Sequence, residues 1–268
     1  MLRLAVRVRR NEAELVLAEL LELAPTGVEE VELGDTVEYA IYGAPGELPA
    51  LPALQVAAGD ALVEVSTSEL PDGWSERWRE FHKPVVLGER LTVRPPWEPP
   101  GSSEIDLVID PGQAFGTGAH ATTQLCLELM LELPGPHGGF VDLGCGSGVL
   151  ALAAAKLGWR PVLALDNDPA SLEATAGNAH ANRAAVEVRR LDLRVEPVPP
   201  ARTVAANLLA PLLIAWAPHV PAAAEQLLVS GVLVEQADRV TGAFASAAGL
   251  HESVRRTRGE WTALTMTR

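Results

Sequence analysis

Cysteine is nearly absent: Cys126 and Cys145 are the only two in 268 residues, and their spacing fits neither a metal site nor a redox pair. A disulfide-stapled secreted fold is therefore excluded, and a reduced, cytoplasmic setting is expected. Long apolar runs are lacking as well. No stretch approaches the ~18 apolar residues that a membrane span requires, and the first strand alternates Arg with apolar residues instead of forming a leader's apolar core. Basic residues are scarce, with 21 Lys and Arg against 35 Asp and Glu for a net charge of -14. This balance argues against a general nucleic-acid or anionic-membrane surface, because a phosphate backbone is neutralised by clustered Lys and Arg. Residues 1–70 hold thirteen acids against Arg3, Arg7, Arg9 and Arg10, which suits a basic protein partner or plain solvation. The six histidines have no ligand spacing, so no metal is expected.

What is present is ordinary folding material, 48% hydrophobic and 21% charged, in a chain long enough for two domains. Period-two alternation over 2–8 and helical spacing from Glu12 to Leu23 predict a strand and a helix. Strands over 27–33 and 36–42 joined by Gly34-Asp35, a short helix and a strand near 61–67 complete a small α+β, ferredoxin-like domain over 1–70. Residues 71–104 read as an ordered connector. Trp74, Trp78 and Trp97 stand there among prolines, with a helix expected at 74–82 and a strand at 85–93. From 105 to 268 helix and strand alternate: helices at 121–132, 148–157, 169–182 and 209–218, and strands at 139–143, 161–165, 185–190, 203–206 and 226–230. That alternation predicts a doubly wound, mostly parallel α/β sheet of Rossmann-like type, with ligands at the strands' carboxyl ends.

Phe140 to Gly148 (FVDLGCGSG) is an apolar strand that ends in an acid and a loop with glycine at alternate positions, followed at once by a helix. Such a loop lets main chain approach a ligand, with Gly144 and Gly146 as the contact positions. The dinucleotide fingerprint needs a glycine where Val149 stands. Asp142 would repel a pyrophosphate but suits a ligand with cationic ammonium and sulfonium groups, namely S-adenosylmethionine. Asp166, ending the next strand, is placed to bind ribose hydroxyls, whereas Asp168 before Pro169 suits a helix cap. Asp192 is read either as an adenine contact or as an ordinary turn residue. Asn207 ends the fourth strand, where its amide oxygen can hold an incoming amine on line with the methyl group; a helix N-cap is the alternative. Upstream, the run from Ile109 to Thr123 is glycine-rich but has no phosphate-loop lysine. There Thr122 and Thr123 suit a cap or a cofactor contact, and His120 is either a general base or a plain hydrogen-bonding residue.

Taken together, FGTGxHxTT at 115–123, DLGCGSG at 142–148, Asp166 and Asn207-Leu208-Leu209-Ala210 resemble the PrmA family of ribosomal protein methyltransferases. The resemblance extends from about Trp74 to Glu260-Trp261. It implies a class I methyltransferase sheet and trimethylation of lysine side chains and the N-terminal α-amine of the large-subunit stalk-base protein, L11. It also implies a substrate-recognition role for the ferredoxin-like domain. The family's cofactor contacts fall on Thr123, Gly144, Asp166 and Asn207, with Phe115, Gly116 and Thr117 in the same loop, and Asn207 is the expected catalytic residue. Departures are Arg183 in place of a common glycine, Arg202 in place of an acid and Pro221-Ala222-Ala223 in place of Pro-Gly-Gly. Beside this reading stand a lysine methyltransferase of another protein and a non-catalytic, cofactor-binding ribosome assembly factor. A monomer with no nucleic-acid or membrane partner is expected.

Overall fold

In the computed structural model, which describes residues 2–13, 16, 17, 20, 28–43, 48, 49, 54, 55, 58–69, 82–110, 118–133 and 138–268, the chain divides into two units, 1–81 and 82–268. The smaller unit is built on strands β1 (Leu2–Arg9), β2 (Glu29–Leu33), β3 (Thr36–Gly43) and β4 (Leu62–Glu69). They form an antiparallel sheet in the order β2-β3-β1-β4, the ferredoxin-like order expected from the sequence. Alternation sorts its faces. Leu4, Val6 and Val8 of β1 and Val37, Tyr39 and Ile41 of β3 are buried against Ala13, Val16 and Leu20, which are helical and recur at i, i+3 and i+7. On the other face Arg3 and Arg7 clasp Glu38 at 2.6 and 2.8 Å, and these cations hold the Glu38 carboxyl below its usual range.

The larger unit carries a seven-stranded sheet. Its strands are β8 (Phe140–Leu143), β9 (Val162–Asp166), β10 (Glu187–Arg190), β11 (Thr203–Asn207), β12 (Gln226–Leu233), β13 (His251–Arg258) and β14 (Trp261–Thr267). The order is β10-β9-β8-β11-β12-β14-β13, parallel through β12, with β14 antiparallel to both neighbours. Helices α1 (Ala121–Glu132), α2 (Val149–Leu157) and α3 (Pro169–Ala181) and helices α4 (Ala210–Trp216) and α5 (Ala237–Ala248) cover opposite faces. The strands decide which: Phe140, Ala164, Ala205 and Leu228 pack with α1 and α2, while Val141, Leu165, Val204 and Leu227 pack with α4 and α5. One-residue alternation thus gives a sheet buried on both faces, as a doubly wound fold requires. At the end of α3 Arg183 takes φ +50, a left-handed position where a residue with a Cβ costs roughly 1 kcal/mol more than glycine.

Several elements differ from the sequence reading. The strand expected at 85–93 is a hairpin of β5 (Val85–Leu87) and β6 (Leu91–Arg94), because Gly88-Glu89-Arg90 makes a polar turn in its middle. Strand β7 (Ile105–Val108) joins β6 in parallel, and residues 82–104 group with the larger unit. Helix α5 and the hairpin β13–β14, which closes the sheet, were not foreseen. The helix expected at 74–82 lies outside the described residues up to position 81.

Candidate active site

Every functional side chain expected from the sequence that is described lies in the larger unit, at or near the carboxyl ends of β8, β9, β10 and β11 or at the start of α1. Glycine is required in the turn after β8: Gly144 and Gly148 take φ +73 and +81, conformations that a side chain disfavours. Main-chain bonds fasten this turn to the next strand, with Gly144 N and Cys145 N donating to Leu165 O at 2.8 and 3.0 Å. Asp166 then bridges the two strand ends. Its Oδ2 accepts from Gly146 N and its Oδ1 from Asp168 N, both at 3.0 Å. Asp168 caps α3, accepting from Ala170 N at 3.2 Å and Ser171 N at 3.1 Å, the cap its position suggested.

These elements enclose an open cleft of about 400 Å³, within the range typical of small-molecule sites. Gly144, Gly146, Asp166, Asp192, Asn207 and Leu208 are among its lining residues. A larger groove of about 570 Å³, beside Ala176, His180 and Arg183, shares none of them. Asp192 builds the turn that was one of its two expected roles, accepting from Arg194 N at 3.0 Å, and it lines the cleft. The Arg194 guanidinium takes both Asp192 oxygens at 3.0 and 2.9 Å and holds the carboxyl down at about 2.

Asp142 requires a correction. It is not on the cleft wall. Alternation along β8 turns its side chain toward α2, where it is 1% exposed and Oδ2 accepts from Ala151 N at 3.0 Å. Burial pushes its carboxyl up to about 7, with the Ala151 bond opposing and the Asp166 charge adding to the rise. Asp142 therefore acts on a ligand only through the loop it supports. Burial also pushes up both thiols, Cys126 to about 12, so neither cysteine is a nucleophile.

Asn207 ends β11 opposite Ser230 of β12 and lines the cleft. Its Nδ2 donates to Thr122 Oγ1 at 3.3 Å and Thr123 Oγ1 at 3.4 Å, both in the first turn of α1. His120 is the N-cap of that helix. Its Nδ1 accepts from Thr122 N at 3.4 Å and lies 2.8 Å from Thr122 Oγ1, while the ring meets Trp261 edge-on at 5.2 Å. Burial lowers the His120 pKa and so favours the neutral imidazole, and the Glu260 charge partly offsets this. Phe115, Gly116 and Thr117 lie outside the described residues. Among the described residues no group of three or more His, Cys, Asp or Glu could hold a metal ion.

Two contributors escaped the sequence reading. Helix α3 and its C-cap carry a buried polar stripe at helical spacing, Ser171, Thr175, Asn178 and Asn182, and its two middle members meet the loop. Thr175 Oγ1 donates to Gly146 O at 2.8 Å and Asn178 Nδ2 to Ser147 O at 2.9 Å, while Asn178 Oδ1 accepts from Asp110 N at 3.0 Å. Polar residues recurring on an inward helix face were the available signal. The second contributor is Gly231, where the register of β12 against β14 shifts. Its φ is +79 and a Cβ there would lie 2.5 Å from Leu208 O, so only glycine lets the turn after Asn207 close on β12.

The chain is similar to a set of known proteins that share one name. The family model described as ribosomal protein L11 methyltransferase (PrmA) matches residues 50–268. A protein of Pelotomaculum thermopropionicum named ribosomal protein L11 methyltransferase is 43% identical over 200 residues, 72% of this chain and 65% of that relative, just under two thirds of its length. A protein of the same name from Herpetosiphon aurantiacus is 37% identical over 77% of this chain and 72% of its own. The crystal structure of a ribosomal protein L11 methylase from Lactobacillus delbrueckii subsp. bulgaricus superposes with a TM-score of 0.61 at 29% identity, covering 69% of this chain and 98% of that one.

Proposed function

The chain belongs to the ribosomal protein L11 methyltransferase (PrmA) family, and we infer that it transfers methyl groups from S-adenosylmethionine to lysine side chains and the N-terminal α-amine of L11. The observation that carries this reading is the cleft itself, with the glycine turn and Asp166 on one wall and Asn207, tethered by two hydroxyls, on the other. The donor set fits the cofactor: an acceptor carboxylate at a strand end, bare main chain at Gly144 and Gly146, and no lysine or arginine in the loop from 142 to 148. Asp166 would take the ribose hydroxyls and the glycine turn the methionine part, with Asp142 buttressing the turn from behind. Bound there, S-adenosylmethionine supplies an electrophilic methyl group on a cationic sulfur.

The protein's part is to present a neutral amine on line with that methyl. A lysine ammonium with an ordinary pKa near ~10.4 must first lose its proton. Entry into a cleft that strips water and already holds a positive charge lowers that pKa, and the proton leaves to solvent. Asn207 Oδ1 then accepts a hydrogen bond from the amine and fixes the direction of its lone pair, an orientation effect that can be worth several kcal/mol. His120 need not act as the base: its Nδ1 already faces Thr122. The ferredoxin-like unit, with its excess of acids, recognises the basic substrate, and the enzyme works where ribosomal proteins are, in the cytoplasm.

Intact-mass and peptide mapping of L11 after incubation with the protein and S-adenosylmethionine tests the reading. Additions of methyl mass on lysines and the N-terminus are expected. Cofactor binding with no modified L11 would replace it with a non-catalytic assembly role, and modification of a different protein would move the substrate assignment.

A further inference from the structure

We propose that Thr122, held by His120, is a positioning residue that sets which way round the Asn207 amide stands in the cleft. The inference rests on the methyl-transfer reading above and goes beyond it by naming what aims the expected catalytic group. An asparagine amide has a donor end and an acceptor end of nearly the same shape, and only the acceptor end can receive an N–H from an incoming amine. Something must therefore discriminate between two orientations related by a half-turn.

The hydrogen-bond polarity along the first turn of α1 does this. His120 Nδ1 accepts from Thr122 N, so that nitrogen presents a lone pair. The Thr122 hydroxyl, 2.8 Å from the same nitrogen, must then donate to it, because an acceptor cannot supply the proton. With its hydrogen committed to His120, Thr122 Oγ1 turns lone pairs toward Asn207 and accepts from Nδ2 at 3.3 Å. Thr123 Oγ1 accepts from the same Nδ2 at 3.4 Å. Both amide hydrogens are thus directed at α1, and Oδ1 takes the opposite side. A reversed amide would set Oδ1 against the lone pairs of Thr122.

His120 matters in this arrangement as the fixed acceptor at the start of the chain. Without it the Thr122 hydroxyl is free to turn and donate toward Asn207, which makes the reversed amide acceptable. Thr122 is 1% exposed and can exchange hydrogen bonds with little help from solvent, so the polarity set at His120 is passed on and not lost to water.

The test measures cofactor affinity by titration calorimetry and the single-turnover rate of methyl transfer to L11 at saturating cofactor. Thr122→Val keeps the shape and removes the hydroxyl; its rate is expected to fall about tenfold to thirtyfold with cofactor Kd within about threefold, the size of a lost orienting hydrogen bond. Thr122→Ser is expected to recover most of that loss. At the half-buried cap, His120→Ala is expected to lose about threefold to tenfold and His120→Asn, which offers an acceptor oxygen at the cap, to regain it. If the valine variant fails to fold, loss and rescue in the His120 pair decide the matter alone. An unchanged rate in Thr122→Val, a loss of affinity in proportion to rate, or failure of both conservative variants to rescue overturns the proposal. Absence of methyl transfer by the wild type overturns the functional reading instead.

Discussion

The wall of the cleft that carries Gly144 to Gly148 and the wall that carries Asn207 are held in place by different kinds of bond. On the first, the loop's main chain is the common partner: Gly144 N and Cys145 N donate to Leu165 O at 2.8 and 3.0 Å and Gly146 N to Asp166 at 3.0 Å, while Gly146 O and Ser147 O accept from Thr175 and Asn178 at 2.8 and 2.9 Å. On the second, side-chain hydroxyls reach Asn207 at 3.3 and 3.4 Å, and a glycine across the sheet makes room for the turn. The first wall is a preformed cradle whose geometry follows from backbone conformation. The second is an aiming device whose output depends on side-chain polarity. Binding should therefore track the first wall and rate the second.

The largest effect is expected behind the cradle. The Asp142 carboxyl is pushed from an ordinary 3.8 up to about 7 by burial. Below its ordinary value it is protonated in the folded and unfolded chain alike. Between there and about 7 only the folded chain keeps the proton, so stability falls as pH rises, by on the order of 4 kcal/mol in all at ~1.4 kcal/mol per unit. Asp142→Asn keeps an oxygen for Ala151 N and should lack this slope. Denaturant unfolding of both proteins across that range should show the variant gaining on the wild type as pH rises, and parallel curves would mean that the buried carboxylate ionises without penalty.

Next comes Asp166→Ala, which leaves Gly146 N and Asp168 N without their acceptor and removes the proposed ribose contact. Cofactor affinity is expected to fall about a hundredfold, the scale of two charge-assisted hydrogen bonds, by titration calorimetry. Unchanged affinity would remove Asp166 from the cofactor site. The smallest effect sharpens the comparison from the other side. Gly231→Ala should push Leu208 away and displace Asn207, lowering the saturating rate about tenfold with cofactor Kd within about threefold. A rate equal to wild type would show that the turn shifts at no cost to aim.

The cradle was legible in the sequence because its requirements are local. Alternate glycines after an apolar strand, an acid at the next strand end and Asp168-Pro169 at a helix start each carry their meaning within a few residues. Asp142 was misread although the same period of two that identifies β8 also turns position 142 away from the ligand and toward α2. The aiming wall was only half legible. Asn207 announced itself at a strand end, but its tethers Thr122 and Thr123 stand 85 and 84 residues away, a pairing that only the tertiary fold creates. Gly231 escapes a sequence reading because nothing local to β12 reports that Leu208 O lies where its Cβ would be. The hairpin β13–β14 was not legible as strands, and the places of its Arg256 and Arg258 follow from Glu132, Glu128 and Gln124 on α1, more than 120 residues away.

The division of labour between the two walls is tested most directly by measuring cofactor Kd and the saturating single-turnover rate of methyl transfer on the same preparations of Asp166→Ala and Asn207→Ala. The account predicts that Asn207→Ala loses about a hundredfold or more in rate, comparable with removing a catalytic hydrogen bond, with cofactor Kd changed by no more than about threefold. Asp166→Ala should do the reverse, losing affinity and keeping most of its rate once saturated. Equal losses of affinity and rate in both variants would contradict the account and make the cleft a single cooperative unit with no separate aiming wall.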